Sequence, residues 1–103
     1  MEEDPMIVVR NVFQLKFGKA KDAKALVKEN QDLMKKYGHA ASRFLTDFTG
    51  DFYTLVMETT YENLAAFEKS SQDAMGAKEF EQWYGKFVPL VKTGRREIFT
   101  IVD

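Results

Sequence analysis

The sequence has no cysteine, a single histidine and only two prolines among 103 residues. Without cysteine there is no disulfide, no thiolate nucleophile and no sulfur-ligated metal, a composition that suits a reducing, cytoplasmic setting. One histidine, His39, excludes a multi-histidine metal site within the chain, and neither a metal nor a cofactor is expected. Charge of one sign is lacking too. Lys and Arg number 15 against 16 Asp and Glu, a formal net charge of -1, so no overall field draws in nucleic acid or an anionic membrane. No apolar run nears the roughly 20 residues that cross a bilayer. Phosphate loop, GxSxG, HExxH and EF-hand spacings are all missing. The opening Met1-Glu2-Glu3-Asp4-Pro5 is acidic where a secretory signal needs a basic start. Residues 1–5 read as a frayed leader before a single domain over 6–103.

Aromatic and aliphatic residues are plentiful, with nine Phe, four Tyr and one Trp, enough for a packed core. From Met6 to Phe17 the chain alternates, with Val9, Asn11, Phe13, Leu15 and Phe17 on one side and Val8, Arg10, Val12, Gln14 and Lys16 on the other, the period of a strand. Apolar residues then recur at Ala20, Ala23, Leu26, Val27, Leu33, Met34 and Tyr37, which predicts a helix closed by Gly38. Residues 40–48 and 52–60 read as two strands joined by a short Thr49-Gly50-Asp51 loop. Thr59 and Glu62 have capping-box spacing and predict a second helix from near Tyr61. Its inward stripe is Leu64, Phe67, Ser71, Ala74 and Met75. Gly76 should break it before a further helical segment with Phe80, Trp83, Tyr84, Phe87 and Val91, and Pro89 predicts an irregular last turn. Gly94 should end the helical stretch, and residues 95–102 alternate as a fourth strand.

The order strand, helix, strand, strand, helix, strand is that of an α+β, ferredoxin-like βαββαβ sandwich, a four-stranded antiparallel sheet with two helical stretches on one face. Helices cover only that face, yet Val8 and Val12 mark the other as partly apolar. The expected partner is a second copy, packed sheet face to sheet face about a two-fold axis as a homodimer.

Several side chains invite a chemical reading. Asn11 is an amide on an apolar strand face and must find partners there, either a backbone group in the core or a ligand. His39 follows the glycine that ends the first helix, where it can cap the last carbonyls; no partner for a catalytic base is visible. Trp83, Tyr84 and Phe87 form a stripe that packs on the sheet or lines a pocket for a flat, apolar ligand. Arg10, Arg43 and Glu58 are charges within strands, set to pair across an interface or to be solvated. Arg95-Arg96 is a pair of cations able to bind an anion.

The layout, with Asn11 in strand one, Gly18-Lys19-Ala20-Lys21-Asp22 opening helix one and Asn63-Leu64-Ala65-Ala66-Phe67-Glu68 in helix two, resembles the dimeric α/β-barrel superfamily. Within it the chain is similar to the small antibiotic-biosynthesis-monooxygenase and NIPSNAP-like proteins. The resemblance covers residues 7–102. It implies a homodimer whose sheets form a central barrel, and an organic ligand or heme between sheet and helices. Some members oxidise their substrate with molecular oxygen and no separate cofactor. Heme-degrading members use a strand-one asparagine, a tryptophan and a heme-ligating histidine on the second helical stretch. Asn11 matches the first and Trp83 loosely the second, but the histidine is missing, so heme degradation does not carry over.

Three readings follow. In the first, a small aromatic or polyketide-like compound binds between sheet and helices, enclosed by Phe13, Trp83 and Tyr84 and oriented by Asn11, with or without oxidation. In the second, the chain is a non-catalytic dimerisation or binding module. The third arises because RNA-recognition domains share the βαββαβ order, and Phe52 and Tyr53 superficially suit base stacking. The segment Gly50-Asp51-Phe52-Tyr53-Thr54-Leu55-Val56-Met57 lacks the basic and glycine positions of that motif, so no nucleic-acid partner is expected.

Overall fold

The computed structural model describes residues 5–102; most of the expected leader, residues 1–4, lies outside them. Strand β1 (Ile7–Leu15) leads into helix α1 (Ala20–Lys36), then β2 (Ser42–Thr46), β3 (Thr54–Tyr61), α2 (Leu64–Gly76), α3 (Lys78–Phe87), a 3-10 turn at Val88–Leu90 and β4 (Val91–Thr100). The four strands form one antiparallel sheet in the order β2-β3-β1-β4. This is the expected ferredoxin-like arrangement, with the helices on one face. Among the described residues no helix is long and apolar enough to cross a membrane.

Alternation in β1 sends Ile7, Val9, Asn11 and Leu15 under the helices, all buried. Ala23 and Leu33 of α1 and Phe80, Trp83 and Phe87 of α3 close over them, with Leu55 of β3 beneath. Trp83 stacks on Phe87 with ring centroids 5.0 Å apart, and Phe87 meets Phe13 edge-on, also at 5.0 Å. The indole keeps its polar tip satisfied by donating from Nε1 to the Leu26 carbonyl at 2.7 Å, as a buried tryptophan requires.

Two surface clamps fasten α3 to α1. Lys86 Nζ lies 3.0 Å from Glu29 Oε1. Lys36 Nζ and the Tyr37 hydroxyl both donate to Glu79 Oε1, at 2.9 and 2.6 Å. The hydrogen bond from Tyr37, then that from Lys36, holds the Glu79 carboxyl below its ordinary range. Hydrogen bonding to Glu79 in turn raises both Lys36 and Tyr37.

Several local expectations are corrected. Strand one ends at Leu15, because Phe17 leaves the sheet and packs edge-on against Phe52 and Tyr53. The β2–β3 connection is wider than Thr49-Gly50-Asp51: Asp47 Oδ1 accepts from the Thr54 N–H, and Gly50 and Tyr53 both take positive φ, which bends the chain before pairing can begin. Phe52 and Tyr53 therefore precede β3 and are not base-stacking residues of a central strand. Thr59 is no helix cap; it is buried inside β3, its hydroxyl 2.6 Å from that of Ser42. Asn63 caps α2 instead, its Oδ1 accepting from the Ala66 N–H, because a short amide at the first non-helical position reaches the free N–H groups. Gly94 does not end the helical stretch. Pro89 does so within the 3-10 turn, and Gly94 lies inside β4 opposite Phe13, where a Cβ would come within 3.1 Å of the phenyl ring.

The helix-one ending closes on backbone alone. Gly38, at φ 69°, donates to the Lys35 carbonyl and His39 N–H to that of Met34, the paired bonds of a Schellman ending. The His39 imidazole is thus not the cap. It turns to α2, with Nδ1 3.4 Å from the Ser70 hydroxyl, and meets the Phe80 ring edge-on.

On the open face, register places Arg43, Glu58, Arg10 and Glu97 in one row across all four strands. Glu58 carries both arginines, 2.7 Å from Arg43 Nη2 and 3.3 Å from Arg10 Nε, and Arg10 also lies 3.7 Å from Glu97. Within the chain these charges pair with each other. Val8, Val12, Leu45, Val56 and Phe99 flank them in neighbouring rows on the same face.

Candidate functional site

Helix α2 buries none of its residues. Its expected inward stripe is therefore corrected: Leu64 and Met75 are exposed, and Phe67, Ser71 and Ala74 are only half-buried. The composition explains this. Ala65, Ala66, Ser70, Ser71 and Ala74 offer little side-chain volume, so the helix cannot fill the space above β1 and β3. The result is a cleft of about 710 Å³ between α2, α3 and the sheet, within the size range of small-molecule sites.

The four side chains expected to hold a ligand, Asn11, Phe13, Trp83 and Tyr84, all stand on the wall of this cleft. They are not equivalent. Phe13, Trp83 and Phe87 form the packed aromatic end just described. Tyr84, largely exposed, stands at the rim, where its hydroxyl is within reach of solvent. Asn11, 9 % exposed, lies on the floor. Its Oδ1 accepts from Arg96 Nε at 2.7 Å, and its Nδ2 has no partner among the described residues. Asn11 thus has its carbonyl paired, as burial demands, through a side chain of the neighbouring strand and not a backbone group.

Two further wall residues were harder to see. Arg96 is the register partner of Asn11, and its guanidinium carbon lies 5.2 Å from the centre of the Phe67 ring, a cation–π distance. Phe67 is held in turn by an edge-on contact with Tyr61 at 5.4 Å. The Arg95-Arg96 pair is split by strand alternation: Arg95 Nε is 3.4 Å from Glu97 on the open face, and Arg96, itself exposed, lies on the helix side at the edge of the cleft. Asn30 occupies a place on the apolar stripe of α1, between Val27 and Met34. It is 5 % exposed, and its Oδ1 is buried without a hydrogen-bond partner among the described residues. Such an atom costs about 1–3 kcal/mol, recoverable if the amide turns toward a donor brought into the cleft. A polar residue at a buried helical spacing was the available signal, the same one that singled out Asn11.

The cleft does not fit a histidine-ligated heme. Axial ligation needs an imidazole on the wall, and the only histidine, His39, lies on the α1–β2 connection behind Ser70. The titratable groups on the wall are Arg95, Arg96, Glu81, Tyr61 and Tyr84. Chemically the site offers a broad apolar surface, a donor amide at its floor and one oriented guanidinium.

The class defined by this fold is that of small ferredoxin-like α+β proteins with a cleft between helices and sheet. No family model and no curated protein matches the chain by sequence. Among solved structures, it superposes on a NIPSNAP family protein from Agrobacterium tumefaciens with a TM-score of 0.85 at 14% identity, covering 100% of this chain and 91% of the other. A NIPSNAP-like domain protein from Burkholderia xenovorans gives 0.84 at 14% identity, covering 94% and 85%. A protein from Nitrosomonas europaea, provisionally named an antibiotic biosynthesis monooxygenase, gives 0.76 at 11% identity, covering 99% and 95%. The resemblance read from the sequence therefore holds at the level of the fold, which is shared with NIPSNAP proteins and with that monooxygenase-like protein.

Proposed function

We propose that this protein binds a small aromatic or polyketide-like compound in the cleft beneath α2, with Asn11 orienting a polar atom of the ligand and Phe13, Trp83 and Tyr84 enclosing its apolar body. The observation that supports this most directly is that α2 buries none of its residues and leaves a largely apolar space with two incompletely paired amides on its wall. A domain whose helices served packing alone would gain by filling that space, since burying a large apolar side chain is worth about 1.5–3 kcal/mol. The test is thermal melting with a panel of two- and three-ring aromatic compounds. Ligands should raise the melting temperature of the wild type and fail to do so in Ser71→Trp, whose indole would occupy the cleft. A panel without effect would return the chain to the class of non-catalytic dimerisation modules.

Oxidation of the bound compound is a second reading, supported by the fold shared with the monooxygenase-like protein from Nitrosomonas europaea and by the donor amide of Asn11, placed to stabilise an oxyanion. Oxygen uptake on adding an oxidisable bound ligand would bear on it, and its loss in Asn11→Ala would tie it to the cleft.

The working unit is proposed to be a homodimer through the open sheet face. Apolar rows with Leu45, Val56, Val12 and Phe99 there flank a charge row that is already neutralised within the chain, so a second copy would meet little unpaired charge. Sedimentation should show a dimer at micromolar concentration, and a compact monomer would contradict this.

A further inference from the structure

We infer that the ligand of the cleft is anionic, an aromatic carboxylate whose oxygens meet the Arg96 guanidinium. The inference deepens the ligand-binding reading above and rests on it.

Arg96 is set as a receptor for such a group. Its Nε is committed to Asn11 Oδ1 at 2.7 Å, and its guanidinium carbon lies over the Phe67 ring, 5.2 Å from the ring centre. Two anchors on different elements, β1 and α2, hold the fork in one orientation. Its two terminal amino groups then have no acceptor among the described residues. No carboxylate of the described residues comes within ion-pairing distance of Arg96, whereas every other arginine, Arg10, Arg43 and Arg95, has one. A planar fork with two parallel donors matches a carboxylate in bidentate geometry.

The surroundings fit the remainder of such a ligand. From Arg96 the wall continues through Phe13 to the packed Trp83–Phe87 pair, which closes the aromatic end of the cleft. The free Nδ2 of Asn11 can donate to a carboxylate oxygen from the floor. Among the described residues Glu81 is the one acidic group on the wall. It makes no ion pair with Arg96 and opposes an anion only through space, so Glu81→Gln should strengthen binding slightly.

The experiment is calorimetric titration of the full chain with 2-naphthoate and with its neutral methyl ester. The wild type should prefer the acid by about tenfold, the size of a modest charge-assisted bond. Arg96→Gln should abolish that preference, read as the ratio of acid to ester affinity, and Arg43→Gln, whose side chain lies outside the cleft and pairs with Glu58 on the open face, should retain it. Equal affinities in the wild type, or a preference that survives Arg96→Gln, would overturn the anionic ligand and leave the cleft reading intact. If neither compound binds, or both bind Ser71→Trp as well as the wild type, the cleft reading fails and this one with it. Should Arg96→Gln fail to fold, the wild type still decides: raising the salt must erase the preference for the acid, and a salt-independent preference counts against Arg96.

Discussion

Two rows of side chains cross the same four strands one residue apart, and they face opposite ways. On the open side the row is Arg43, Glu58, Arg10, Glu97; on the helix side it is Phe44, Met57, Asn11, Arg96. In the first row charges alternate, so Glu58 lies between two cations, Glu97 lies beside Arg10, and the row satisfies itself. In the second a single cation sits beside an amide and two apolar residues. The open face thus carries a row of charges that neutralise each other, whereas Arg96, on the helix side, has no carboxylate partner among the described residues. Self-pairing suits a surface left to water or to a second copy; an unpaired, oriented cation over apolar walls suits a ligand.

The largest expected effect falls on the packed end of the helix side. Trp83→Ala removes a buried indole, its stacking on Phe87 and its bond to Leu26, and should cost about 3–5 kcal/mol in chemical denaturation. A loss below about 1 kcal/mol would mean that the ring is supported by the cleft alone and contributes little to the core.

The open row should be far more tolerant. Glu58→Gln leaves Arg10 and Arg43 facing each other without their shared carboxylate, yet both arginines keep access to solvent. The expected cost in an isolated chain is about 1 kcal/mol. A loss that is several times larger and depends on protein concentration would show that a second copy covers this face, since removing one partner of a buried ion pair is much more costly.

The smallest effect concerns the clamp that steadies the helix layer. Glu79 is lowered on folding, so its contribution is complete above its unfolded pKa and is lost as the pH falls through the lower folded value. Lys36 and Tyr37 are raised, so theirs is complete below their unfolded values and lost as the pH climbs through the folded ones. Melting temperature measured against pH should show a slightly shallower acid limb in Glu79→Gln than in the wild type. All three groups face solvent, so the change will be slight; identical profiles would show that the clamp adds nothing in water.

Much of the fold was legible because it depends on period. Alternation in residues 7–15 and the three-to-four spacing of Ala23, Leu33, Phe80, Trp83 and Phe87 required only that apolar side chains share a face. Errors clustered at ends. Thr59 and Glu62 have cap spacing, but strand pairing claimed Thr59 first and Asn63 took the cap; Gly94 looked like a stop because nothing local shows that β4 begins at Val91. Of the site, Asn11, Phe13, Trp83 and Tyr84 stood out by type and spacing. Arg96 stood out only as half of a dipeptide whose two faces no local rule could separate in function.

The sequence by itself determined the order of elements, the helix-bearing face of the sheet and the aromatic material of the cleft, since each follows from periodicity and side-chain size along a short stretch. Only the tertiary structure decided that α2 stands away from the sheet, that Glu58 answers Arg10 and Arg43, and that Arg96 meets Asn11 and Phe67. Those contacts join residues far apart in the chain, and their register and depth are set by how three elements pack together, which no single stretch of sequence contains.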